Sequence, residues 1–158
     1  MKQNLFTHLT IAATLAILST AAMAHDDATL DKMKTPHNGQ LRMSGIHHFE
    51  LVLDKDNKEA KDSPVDIYLT DHAGTKIPSA GAKGSATILT RKSKVIVPIS
   101  AISDNKLSGT GKYAYDAKTK VVVSITFADK TTEQARFTPS TASASDEMPH
   151  MEGMKDMK

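Results

Sequence analysis

Two kinds of apolar patterning divide this chain. Residues 5–18 form an apolar stretch broken only by Thr7, His8, Thr10 and Thr14. Beyond residue 40, short runs rich in Val, Ile, Thr and Tyr alternate apolar with polar positions and are separated by clusters of Gly, Pro, Asp, Asn and Ser. Alternation of this kind sends successive side chains to opposite faces of an extended strand, and no helical period competes with it. Strands are predicted over 40–43, 46–53, 65–70, 85–90, 94–99, 106–110, 121–128 and 133–138. Ser44-Gly45, Asp71-His72-Ala73-Gly74, Arg91-Lys92-Ser93 and Asp129-Lys130 supply turn chemistry between them, as antiparallel hairpins require. The fold class that follows is all-β, a single antiparallel β-sandwich of seven to eight strands.

The same alternation sorts the faces. Phe49, Leu51 and Leu53 point one way and His48, Glu50 and Val52 the other, while Ile67 and Leu69 read as core in the next strand. Aromatic residues are few, at 4% of the chain. Burial at roughly 1.5–3 kcal/mol per large aliphatic side chain must therefore offset the ordering entropy of the whole domain. A margin this thin leaves room for help from a bound ion.

The first apolar stretch has a different meaning. Lys2 gives it a positive start, it is short for a membrane span, and it runs into Ala22-Met23-Ala24, the small-x-small pattern of a signal-peptidase site. Residues 1–24 are predicted to be a secretory signal peptide, the alternative being a retained anchor. Export to a periplasm is expected, with no membrane span after cleavage. Residues 25–35 lack alternation and are predicted to be a flexible N-terminal arm, 36–138 the β-domain, and 139–158 a linker and tail. The run 138–145, Thr-Pro-Ser-Thr-Ala-Ser-Ala-Ser, is too small and polar to bury a core. The charged run 54–62 lacks the glycine and terminal glutamate of a calcium loop and is expected to be solvated.

Charge and composition exclude several classes. A net charge of +2 with acids and bases interspersed gives no electrostatic footprint for nucleic acid. Without cysteine, a soft-metal site must draw on methionine or histidine. No nucleophile–base spacing, phosphate loop or nucleotide fingerprint is present, so the chain is not expected to be an enzyme.

Two groups of residues carry metal chemistry. Met148, Met151, Met154 and Met157 recur every third residue around His150. Thioether sulfur binds Cu(I) or Ag(I) without deprotonation, and imidazole adds a borderline donor. The competing reading is a methionine stripe on a helix docked to the core, but no Leu, Ile, Val or Phe stands beside these methionines and Pro149 and Gly153 interrupt them. In the domain, His37 precedes the first strand, His48 and Glu50 share a face of the second, and His72 lies in a turn. Together they form a candidate Cu(II) or Zn(II) ligand set, with His47 pointing away. The plainer alternative is surface or internally satisfied histidines. Cleavage after Ala24 would also expose His25 as a terminal amine–imidazole chelate for Cu(II), as a copper monooxygenase needs. Such an enzyme commonly also has an aromatic substrate face, and this chain has no Trp and three Tyr.

The order Pro36-His37-Asn38-Gly39, His48-x-Glu50-Leu51-Val52, Tyr68-Leu69-Thr70-Asp71-His72-x-Gly74, Gly84-x-Ala86-Thr87 and Gln134-Ala135-Arg136-Phe137-Thr138-Pro139 resembles small exported bacterial β-domain proteins of heavy-metal efflux and resistance loci. Members read Pro-His-Gly-Gly where this chain has Asn38. The resemblance implies His37, His48, Glu50 and His72 as candidate ligands. The tail separately resembles the methionine/histidine segments of periplasmic copper and silver chaperones. The expectation is a periplasmic copper-binding protein that buffers the ion or delivers it to an efflux complex or a periplasmic metalloprotein. The alternative is a non-catalytic module that docks a membrane transporter, with the histidines incidental.

Overall fold

The computed structural model describes residues 27–139. Residues 1–24, predicted as a signal peptide, together with His25 and the tail residues Met148, His150, Met151, Met154 and Met157, lie outside them. After a short helix α1 (Asp27–Leu30) come eight strands: β1 (Gln40–Ser44), β2 (His47–Leu53), β3 (Lys61–Thr70), β4 (Lys83–Leu89), β5 (Lys94–Ser103), β6 (Lys106–Tyr113), β7 (Lys120–Thr126) and β8 (Thr132–Phe137). The all-β antiparallel reading holds, and its two layers belong to one sheet. Its order is β1-β2-β3-β6-β5-β4-β7-β8, curled until the outer strands approach each other in a nearly closed barrel. No described helix is long and apolar enough to cross a membrane.

Local alternation explains the interior. Phe49, Leu51 and Leu53 of β2, Val65, Ile67 and Leu69 of β3, Leu107 of β6 and Val121, Val123 and Ile125 of β7 form one buried cluster with Phe137 of β8. Each comes from every second position of its strand, as the pleat dictates. The hairpins β1–β2, β2–β3, β4–β5, β5–β6 and β7–β8 are local. The pairings β3–β6 and β4–β7 reach across the chain and bring the two halves of the barrel together.

No ladder register joins β1 to β8; side chains fasten their seam. Gln40 Oε1 accepts the Thr138 N–H at 2.8 Å, and the His47 ring meets Glu133 Oε2 at 3.0 Å.

Three segments depart from expectation. The N-terminal stretch, read as a flexible arm, is docked from Asp27 onward: Leu30 is buried, and Asp31 Oδ1 receives Gln40 Nε2 at 2.7 Å and Arg42 Nη1 at 2.8 Å. It neutralises a buried arginine on β1, which a solvated arm could not do. The charged run before β3 is likewise not wholly solvated. Asn57 is buried, its amide donating to Ser63 Oγ at 3.0 Å and to the Tyr113 carbonyl. At the other end, Thr138 and Pro139 are still packed on the barrel, so the predicted linker begins no earlier than residue 140.

Candidate functional site

The predicted ligands collect on the outer face of β1, β2 and β3. Because β2 alternates, Phe49 and Leu51 enter the core while His48 and Glu50 project outward. Register then sets their neighbours. Glu50 lies opposite Leu41 on one side and Tyr68 on the other, and His48 lies opposite Met43 and Thr70.

Glu50 is buried, and both its oxygens are engaged. Oε1 accepts the backbone N–H groups of His37 at 2.9 Å and Gly39 at 3.0 Å, and Oε2 meets His37 Nδ1 at 2.8 Å. The Pro-His-Asn-Gly turn is thus clamped onto β2 through one carboxylate. Its backbone suits the clamp: Asn38 takes a φ of 57°, a left-handed conformation that Asn tolerates better than most residues, so its presence in place of glycine is chemically mild. A Cβ on Gly39 would lie 2.6 Å from the Leu51 carbonyl oxygen, so this position excludes a side chain.

His37 is held from a second direction. Its ring stacks on Tyr68 with centroids 3.5 Å apart and planes 4° from parallel. Tyr68 in turn has Lys106 Nζ 5.3 Å from its ring centre, and Lys106 is paired with Asp66 at 2.8 Å. That hydrogen bond holds the Lys106 ammonium above its ordinary pKa. A carboxylate on one ring nitrogen and an aromatic face beneath the ring orient an imidazole as metal sites often require.

His72 arrives from the loop after β3. Asp71 Oδ1 accepts the N–H groups of Ala73 and Thr75, both at 2.8 Å, and Thr70 bridges to Lys76. Those bonds hold the Asp71 carboxyl below its usual range, with the Thr75 N–H the largest cause. The loop lays the exposed His72 ring edge-to-face on His48, centroids 4.7 Å apart and planes at 75°. His48 itself is only 5% exposed.

All four predicted domain residues therefore share one surface, but as two neighbouring pairs, His37 with Glu50 and His48 with His72. Among the described residues no three His, Asp or Glu side chains group closely enough to hold one ion. Glu50 orients His37 and is not disposed as a ligand. His47 turns to the opposite face as expected, where it meets Glu133 and packs on Phe127 at 4.8 Å. Sequence reasoning overlooked Tyr68 and Met43. Drawing the β1–β2 hairpin in register would have set Met43 beside His48, because Cα partners in an antiparallel pair share a face. No family model matches the chain, and no characterised protein or solved structure matches it either.

Proposed function

We propose that this is an exported protein that binds a transition metal ion as cargo, copper foremost, and buffers it or passes it to an efflux complex or metalloprotein. The observation that carries the reading is the contact between His48 and His72, two imidazoles from separate elements at 4.7 Å, with an oriented His37 on the same face. Imidazoles gathered on the outer face of the sheet, with His72 open to solvent over the buried His48, favour capture of an ion over packing. Ala22-Met23-Ala24 supports export, and the methionine-rich tail supports copper among the candidate metals. Its four methionines would hold Cu(I), while the domain histidines would take Cu(II) or Zn(II).

A second reading, a module that docks a membrane transporter, draws on the exposed Ile96 and Ile102 of β5. Metal stoichiometry separates the two. The full-length chain recovered from an exporting bacterium, with a chain ending at Pro139 beside it, is assayed for bound metal and for competition with a chromogenic copper chelator. Copper held by both forms, with more in the full chain, is expected. No copper or zinc above background in either form would defeat the reading.

A further inference from the structure

We propose that Met43, His48 and His72 form a site for a soft monovalent ion, Cu(I) or Ag(I), in the folded domain itself. The inference rests on the copper-binding reading above, adds Met43 as a ligand, and assigns His48 and His72 a monovalent ion in place of the Cu(II) or Zn(II) named there.

The placement follows from register. The β1–β2 hairpin turns at Gly45, with a φ of 57°, and this sets Met43 directly across from His48. Cross-strand partners carry their Cβ atoms about 4.5–5.5 Å apart on one face, within reach of a thioether and an imidazole for a shared ion. On the other side of His48 stands Thr70, the last residue of β3. Two residues on, His72 brings its ring against His48. Three donor residues from three elements thus stand beside one another on the β1–β3 surface.

The donor set selects the ion. One thioether and two imidazoles are neutral and soft to borderline, the preference of a d¹⁰ monovalent ion content with few ligands. Zn(II) prefers four ligands, usually with anionic ones among them. The carboxylates beside this face are already engaged, Glu50 by His37 and Gly39, and Asp71, next to His72, through Oδ1 by the Ala73 and Thr75 N–H groups. His48 is buried and His72 exposed, which gives the ion one fixed ligand and one on the side from which it arrives.

Methyl-¹³C-methionine protein of full length is titrated with Ag(I) nitrate in chloride-free buffer, and the methionine methyl and histidine ring resonances are followed. The Met43 signal is identified by its disappearance in Met43→Leu, a volume-conserving change whose amide spectrum checks the fold. The Met43 methyl and the rings of His48 and His72 are expected to shift together and saturate together. Met43→Leu should weaken Cu(I) binding at this site by about tenfold or more while changing Zn(II) affinity by less than about twofold. A silent Met43 methyl, whether the tail methionines respond to Ag(I) or the two histidines respond to Zn(II), overturns this inference and leaves the copper reading standing. No response of any methionine or histidine to Ag(I), Cu(II) or Zn(II) overturns both.

Discussion

Gly39 and Asn38 are adjacent, yet the structure asks different things of them. A methyl group at Gly39 would strike the Leu51 carbonyl oxygen, which belongs to a paired strand and cannot move aside. Gly39→Ala should therefore destabilise the domain by about 1–3 kcal/mol in urea unfolding. Asn38→Gly should stay within about 0.5 kcal/mol of the parent, because glycine adopts the same positive φ freely. Equal effects of the two substitutions would mean that the turn is not clamped as described. At this scale the sequence was partly legible. Alternation alone placed His48 and Glu50 on one face, and the Pro-His-Asn-Gly motif marked a turn. That Glu50 would accept that turn's own N–H groups, leaving it an orienting group instead of a ligand, was hidden, because the contact spans thirteen residues and depends on the loop's path. Met43 was hidden for a different reason. A methionine in a strand reads as packing until the register shows which residue lies across from it.

Among the elements, β6 ends on the residue that ties the β2–β3 connection down. The Tyr113 hydroxyl donates to the Pro64 carbonyl at 2.7 Å and accepts the Asp54 N–H at 3.2 Å. Burial pushes its phenol above the ordinary value near 10, and burial does the same at Tyr115. The sign follows directly: above about pH 10 the unfolded chain has lost these protons while the native chain still holds them, so stability falls as pH rises. Tyr113→Phe should lower stability near neutral pH by about 1 kcal/mol and make the alkaline decline shallower, with Tyr115 leaving a residual slope. Unfolding midpoints followed from pH 8 to 11 would check both. All eight strands were legible from the alternation of apolar and polar residues, most within one or two residues of their ends. β5 and β6 run four and three residues past their predicted ends, and β3 starts four residues before its predicted start. It begins at Lys61, inside a run whose charges and Pro64 argue against a strand, and it is held there by Asn57, Ser63 and the far-off Tyr113. The pairings β3–β6 and β4–β7 left no local trace, since alternation tells which face a residue occupies and says nothing of which strand lies alongside.

For the molecule as a whole, the N-terminal segment belongs to the domain. Leu30 is 1% exposed, and Asp31 answers the buried Arg42. Leu30→Ala should cost about 2–4 kcal/mol by thermal or urea unfolding, the range for a buried leucine, whereas a loose arm would register nothing. Composition could not foretell this, because Asp27 to Leu30 form a single helical turn too short to show a period and the partner Arg42 lies on the inward side of an edge strand. The seam between β1 and β8 has a consequence in time. The ladder runs through seven strand pairs and stops there, so parting these two edges breaks no ladder. Amides on the outer sides of β1 and β8 can then trade hydrogen with water through brief local openings. Those of β3 and β6, flanked by partners on both sides, must wait for the barrel to come apart.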